Sequence, residues 1–153
     1  MVILAAALIG VIAGLRAMVA PAAVSWAAAL GWIDLSATPL AFMGYHWTPY
    51  IFTVLAVIEL ITDQLPSTPS RKVPQQFGAR LISGALCGAA IGAAGGMLVV
   101  GLIAGIVGAV VGTYGGAEVR ARLAGAFGKD LPAALIEDLV AIVGAYLIVH
   151  ALA

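Results

Sequence analysis

The chain has 153 residues, of which 63% are hydrophobic and only 9% are charged. Because a soluble domain carries about 25% charged residues, this composition excludes an ordinary soluble protein and predicts a surface that faces lipid. Seven basic and seven acidic residues cancel to a net charge of zero, which argues against a nucleic-acid partner, since such proteins need a basic surface. We therefore expect one integral membrane domain over residues 1–153, with the lipid bilayer as its partner.

The first apolar run covers residues 2–33 and is interrupted only by the charge of Arg16. A membrane helix needs about 20 apolar residues, so this run is too long for one ordinary span. Gly14-Leu15-Arg16 and Pro21 offer places for a break or a kink. We expect either one long bent helix or a short helix followed by a span at 17–33. No basic residue precedes the run, which argues against a cleaved signal peptide.

The next elements are a loop at 34–48, a helix at 49–65 and a second loop at 66–78. Thr48 suits the N-cap of this helix and Pro49 its first helical position. The second loop is rich in proline and polar residues, as expected of a turn. Four aromatic residues surround the first loop and indicate an interfacial belt: Trp32, Tyr45, Trp47 and Tyr50.

The second half of the chain is predicted to hold glycine-rich spans at 79–95 and 97–116. Residues 117–128 are less apolar and form an amphipathic pattern, which predicts an interfacial continuation of the preceding helix. A last span follows at 131–152. The expected fold is all-α: a polytopic transmembrane helix bundle of five to six spans, with a glycine-packed central hairpin and one short interfacial helix.

The orientation follows from the distribution of basic residues, because cytoplasmic loops carry an excess of lysine and arginine. The loops at 66–78 and 117–130 are basic, and a hairpin that crosses twice separates them. Both are therefore expected in the cytoplasm. The loop at 34–48 has no lysine or arginine and is expected outside.

Glycine recurs at every fourth position in the second half of the chain. Small residues at this spacing let helix backbones approach closely in lipid. The pattern fits an internal hairpin contact, a homodimer seam or a sliding surface, and we expect a homo-oligomer, with a dimer favoured. The predicted helix-packing residues are Gly84, Gly88, Gly92, Gly96, Gly108, Gly112 and Gly116, with Gly101 and Gly105 one face over.

Charged residues inside the apolar segments are the candidate substrate- or ion-binding residues. A charged side chain within a membrane helix costs about 2.5–3.5 kcal/mol on the insertion scale, so scattered charges are unfavourable. We expect an interhelical network in the cytoplasmic third of the bilayer, in which each arginine pairs with carboxylates. Its role is either an ion, proton or anionic-substrate site or a salt-bridge staple. The candidates are Glu59, Asp63, Glu137, Asp138, Arg16 and Arg80.

A weak internal duplication is also visible, with halves at about 14–66 and 78–152. Gly-x-Arg opens an apolar helix in each half, and Ala56–Leu60 is similar to Ala134–Asp138. Duplicated halves are common in transporters, where the site lies between the repeats.

Two motifs resemble a bacterial membrane family, domain-of-unknown-function family 4126. The first is Gly14-Leu15-Arg16-Ala17 with Pro21 nearby, and the second is Glu59-x3-Asp63-x2-Pro66-x2-Pro69. The glycine-rich second half is also similar, so the likeness spans most of the chain. The resemblance implies a compact polytopic bundle in the bacterial inner membrane and implies no activity.

Three functions compete at this point. The first is a transporter or channel-like protein for an ion, proton or small solute, and the second is a non-catalytic membrane subunit or assembly protein. A lipid-phosphate-handling membrane enzyme is the least supported, because the histidines, His46 and His150, are expected on the outer side, away from the carboxylates. The pattern predicts no catalytic residue, no metal site and no cofactor. The single cysteine, Cys87, reads as a buried small hydrophobe.

Overall fold

A computed structural model of the chain describes residues 2–36, 38–62, 74–128 and 130–152. Within these ranges the fold is all-α, as predicted, and contains no strand. Six α-helices and one short 3-10 helix follow each other along the chain: α1 Val2–Leu15, α2 Val19–Ala29, the 3-10 helix Ala41–Gly44, α3 Thr48–Thr62, α4 Pro74–Ala94, α5 Leu98–Phe127 and α6 Asp130–His150.

Among the described residues, three stretches are long and apolar enough to cross a membrane: Phe77–Ala94, Leu98–Phe127 and Pro132–His150. The helices α1, α2 and α3 are apolar but have 14, 11 and 15 residues. At about 1.5 Å per residue they fall short of a hydrocarbon core about 30 Å thick. By length and composition alone, three helices of the described part of the chain therefore qualify, and five to six spans stay a prediction.

The first apolar run folds into a helical hairpin rather than one long bent helix. Helix α1 ends at Leu15, α2 begins at Val19, and Arg16 lies in the turn between them. The two helices run in opposite directions, because Val2 at the start of α1 lies in a small pocket with Trp32 and Ile33, which follow α2. Of the two predicted arrangements, a short helix followed by a separate helix is thus closer to the structure. The second helix was expected over 17–33, but α2 ends at Ala29.

The residues predicted as a short interfacial helix do not form a separate element. Helix α5 continues through 117–127 without a break and ends at Gly128, whose φ of 72° is the left-handed conformation that glycine adopts readily. Nothing in this stretch interrupts a helix, and Glu118 and Arg122 support it by pairing one turn apart at 3.1 Å. The predicted continuation is present, and its surface is largely exposed.

Helix α5 approaches both α1 and α4 so closely that a Cβ at several glycine positions would collide with the neighbouring backbone. A Cβ on Gly88 would collide with the backbone of Gly101, and one on Gly84 would meet that of Gly105. Gly101 and Gly105, which were predicted on a neighbouring face of α5, are therefore the residues that face α4. Gly112 meets the backbone of α1 instead, at Val11.

Two other predicted packing glycines, Gly108 and Gly96, have different surroundings. Gly108 also lies against α1, where a Cβ would collide with the carbonyl oxygen of Ala7. Gly96 lies in the turn between α4 and α5 with φ of 76°, and a Cβ there would meet nothing within 4 Å. Its role is conformational, since an L side chain rarely adopts this backbone geometry.

Candidate functional site

The centre of the candidate site is Arg16, whose side chain is completely buried in the turn between α1 and α2. Its Nε donates to Oδ1 of Asp138 at 2.6 Å, and its Nη1 donates to Oε1 of Glu137 at 2.7 Å. Nη1 also donates to the carbonyl oxygen of Leu15 at 2.9 Å. A buried guanidinium needs such charge-assisted bonds, because leaving it without partners away from water is strongly unfavourable.

The two carboxylates reach the same guanidinium although they are sequence neighbours on α6. Successive residues on a helix point about 100° apart, since a turn takes 3.6 residues. The planar fork of Arg16 spans that angle, because it presents donors along two edges. Glu137 and Asp138 are 8% and 7% exposed, so the pairing takes place almost entirely inside the bundle. We call Arg16, Glu137 and Asp138 the charge triad.

Glu59 on α3 binds the same turn from another side. Its Oε2 accepts a hydrogen bond from the backbone N–H of Ala17 and its Oε1 from that of Met18, both at 2.9 Å. These donors precede the first turn of α2, where backbone N–H groups lack partners within the helix. Met18, the N-cap residue, makes no side-chain capping bond. The carboxylate of Glu59 therefore caps α2 and matches the positive end of its dipole.

Helix α4 contributes Arg80 and Ser83 to the turn. Nη1 of Arg80, a residue only 2% exposed, donates to the carbonyl oxygen of Gly14 at 3.2 Å. The hydroxyl of Ser83 donates to the carbonyl oxygen of Ala17 at 2.5 Å. Helix α4 therefore supplies donors to one carbonyl at the end of α1 and to one in the turn that follows it.

Five of the six candidate residues thus converge on the turn between α1 and α2. The sequence predicted that each arginine pairs with carboxylates, and the charge triad shows this pairing for Arg16. Asp63 lies outside the described residues. Sequence reasoning missed Ser83, although its position three residues after Arg80 places both on one face of α4.

Glu137 of the charge triad lines a groove between α1, α5 and α6. The groove has a volume of about 340 Å³, and both Glu137 and Arg120 line it. A second groove, of about 380 Å³, lies between α2, α3 and α6, and its lining is mostly apolar, with the hydroxyl of Thr53 among its few polar groups. That hydroxyl accepts a hydrogen bond from Nε1 of Trp26 at 2.8 Å.

Both histidines lie among aromatic residues at the opposite end of the bundle. The ring centres of His150 and Trp32 are 5.4 Å apart, and those of His46 and Trp47 are 4.9 Å apart. Glu137 and His150 occupy the same helix, separated by about 20 Å at 1.5 Å per residue. Over the part of the chain that the structure describes, no group of three or more His, Cys, Asp or Glu residues could hold a metal ion.

These features define an all-α protein with membrane-like helices that converge on a buried charge cluster. Residues 3–151 match a family described as domain of unknown function (DUF4126). The chain belongs to this family, which confirms the resemblance seen in the sequence motifs. No curated protein and no solved structure matches the chain.

Proposed function

We propose that this chain is a small integral membrane transporter or channel-like protein, which moves an ion, a proton or a small solute by way of the charge triad. The observation that carries the proposal is the complete burial of Arg16 between Glu137 and Asp138. The triad places the carboxyl oxygens of Glu137 and Asp138, groups that can bind a proton or a small cation, beside a buried guanidinium.

Energetics favour such a role over a purely structural one. Removing an ion pair from water costs several kcal/mol per ion, and apolar residues of similar volume often hold helices together equally well. Three buried charges at one depth are therefore an uneconomical way to fix helix packing. Ionisable residues inside membrane segments mark ion pathways, proton relays and substrate sites by default.

The proposal includes a location and an orientation. We place the protein in the bacterial inner membrane as a bundle of five to six spans, with loops 66–78 and 117–130 in the cytoplasm and loop 34–48 outside. Support comes from Arg120 and Arg122, which lie at the cytoplasmic end of α5 in this orientation, as the positive-inside rule requires. One protomer has few helices to enclose a pathway, so we propose a homo-oligomer, with a dimer favoured.

The alternative function is a non-catalytic membrane subunit or assembly protein. It is favoured by the burial of the charge triad, whose members are at most 8% exposed to solvent. The glycine contacts between α4 and α5 favour it as well. In this case the central hairpin is a glycine-packed scaffold, and the triad holds the turn at Arg16 in one register. The two functions differ in whether the protein alone supports flux.

A flux measurement separates them. The protein is reconstituted into liposomes, and proton, sodium and potassium flux is recorded for the wild type, Glu137→Gln and Glu118→Gln. Glu118 is the matched control, because its carboxylate is exposed on α5 and pairs with Arg122. We expect flux from the wild type and the control, and at least a tenfold loss in Glu137→Gln with insertion unchanged.

The opposite result is equally informative. If wild-type liposomes conduct no more than empty ones, while Glu137→Gln lowers only the thermal stability, the transport proposal is wrong for these ions. The triad then acts as a structural staple, and the scaffold alternative stands.

A further inference from the structure

A cavity of about 530 Å³ lies at the end of the bundle opposite to the charge triad, between the C-terminal end of α2 and the segment that leads to the 3-10 helix. Asp34, Ser36 and Tyr45 line this cavity together with apolar residues. Asp34 is the only Asp, Glu, Lys or Arg between Arg16 and Glu59 in the sequence. Its carboxylate is therefore the formal charge that the cavity presents to a ligand.

The partner of Asp34 leaves the charge of its carboxylate uncompensated. Ser36 donates to Oδ1 of Asp34 from its backbone N–H at 3.0 Å and from its hydroxyl at 2.6 Å. These two donors are neutral, and an ionised carboxylate has about four acceptor sites. The hydroxyl bond, and after it the backbone bond, lower the pKa of Asp34, so the group carries its charge at neutral pH. Within the described ranges no Lys or Arg side chain pairs with it.

The C-terminal end of α2 adds a second source of negative potential. Ala28 in its last turn and Gly31 just beyond it line the same cavity. The last carbonyl groups of a helix lack partners within the helix and carry the negative end of its dipole. A helix C-terminus and an ionised carboxylate at one cavity both favour a cation as the ligand.

The lining favours an organic ammonium group over a metal ion. Calcium takes six to eight oxygen ligands and magnesium needs a nearly ideal octahedron, whereas Asp34 is the one carboxylate of this cavity. Tyr45 contributes an aromatic ring, and the face of such a ring attracts ammonium groups. The volume also lies within the range of about 300–1,000 Å³ that is typical of small-molecule sites.

We propose that this cavity binds an ammonium group, with the cation on the carboxylate of Asp34 and beside the ring of Tyr45. The group can belong to a free small amine or to the headgroup of phosphatidylethanolamine, since both present the same primary ammonium. The lipid is a source because Tyr45 belongs to the aromatic belt expected at the membrane interface. Ammonium binding at this cavity is independent of flux through the charge triad.

The test titrates the purified full chain in detergent with two ammonium probes. Ethanolammonium is followed by saturation-transfer difference NMR, with ethylene glycol as its uncharged reference. Phosphatidylethanolamine is followed by native mass spectrometry, with phosphatidylglycerol as the reference lipid. We expect saturable binding of at least one ammonium probe and none of its reference. Asp34→Asn should weaken that binding about fivefold, the effect of one exposed ion pair, while its amide oxygen still accepts the hydrogen bonds from Ser36.

Two matched pairs of variants separate this site from general effects. Glu118→Gln removes an exposed carboxylate on α5, far from the cavity, and is the control for Asp34→Asn. Tyr45→Leu removes the ring that lines the cavity and should also weaken binding. Trp47→Leu is its control, because Trp47 is an exposed aromatic residue of the same loop that does not line the cavity. Both controls should bind the ammonium probe like the wild type.

The two probes also identify the source of the ammonium group. Binding of phosphatidylethanolamine alone assigns the cavity to a lipid headgroup, and binding of ethanolammonium alone assigns it to a free amine; either result supports the inference. Three results would overturn it: no saturable binding of either ammonium probe, equal binding of an ammonium probe and its reference, or equal losses in Asp34→Asn and Glu118→Gln, which would indicate diffuse attraction to surface charge. None of these measurements requires flux, so the transport proposal is judged separately.

Discussion

Arg16 and Glu137 are separated by 121 positions in the chain, yet Nη1 of the one lies 2.7 Å from Oε1 of the other inside the bundle. This pair joins the turn between α1 and α2 to the first third of α6. Together with Asp138, this pair connects the N-terminal helices to the last helix of the chain. The changes that follow test how much this ion pair and the contacts around it contribute to stability.

Removing Arg16 alone should destabilise the protein severely. Arg16→Met leaves Glu137 and Asp138 buried without their guanidinium, and breaking one side of a buried pair costs about 3–5 kcal/mol. Thermal unfolding in detergent should show a large fall in the midpoint. Arg122→Met is the control, because an exposed pair contributes about 0–1 kcal/mol. The combined variant Arg16→Met, Glu137→Leu and Asp138→Leu should recover most of the loss, and a triple variant as unstable as the single one would contradict this explanation.

Glu59→Gln should loosen the start of α2 without unfolding the bundle. The amide keeps one acceptor oxygen for two backbone donors and removes the charge that faces the helix dipole, a loss of about 1–2 kcal/mol. Hydrogen exchange followed by mass spectrometry should show faster exchange at residues 17–22, with α6 unchanged. Exchange that stays as slow as in the wild type would mean that the cap is dispensable, and Glu118→Gln provides the reference for a carboxylate elsewhere.

Alanine at two glycines of α5 should have opposite effects on stability. Gly105→Ala places a Cβ against the backbone of Gly84, and such overpacking costs about 1–3 kcal/mol. Gly115→Ala meets nothing within 4 Å and should stabilise the helix by about 0.8–1 kcal/mol. Differential scanning fluorimetry in detergent measures both midpoints. Equal midpoints would argue against close contact between α4 and α5.

Two buried hydroxyls offer a second contrast. Ser83→Ala removes the donor to the carbonyl oxygen of Ala17 and should cost about 1–3 kcal/mol, because a buried acceptor loses its partner. The hydroxyl of Thr113 is buried and has no hydrogen-bond partner among the described residues. Thr113→Val keeps the shape and should be neutral or stabilising. If thermal unfolding ranks the two variants in the reverse order, this assignment of partners is incorrect.

Local sequence patterns were sufficient to predict most helix positions in the described ranges. The apolar lengths of α4, α5 and α6 follow from hydropathy, and Pro49 agrees with the first turn of α3 because proline lacks the N–H that a helix start leaves unpaired. A break near Arg16 was one of two arrangements that the sequence offered, because the run at 2–33 is too long for one span; a long bent helix was the other. These features depend on neighbouring residues only, so one sequence contains the necessary information.

Partners across the bundle were harder to predict. The sequence places Gly101 and Gly105 one face over from Gly108 and Gly112, but only the tertiary structure assigns the first pair to α4 and the second to α1. Likewise, the pattern of buried charge predicted that arginine meets carboxylates, but not that Glu59 caps backbone N–H groups. Periodicity defines the faces of a helix, and nothing in it specifies which neighbour each face meets.

The sequence by itself therefore determined the all-α class, the apolar helices and the set of charged residues whose side chains must avoid contact with hydrocarbon. The tertiary structure alone decided that the first run reverses at Arg16 and that Glu137 and Asp138 share its guanidinium. The physical reason is the separation along the chain over which each interaction acts. Helix formation and the avoidance of hydrocarbon by charge act locally along the chain, whereas the choice of ion-pair partner depends on long-range packing that brings α1, α3, α4 and α6 to one point.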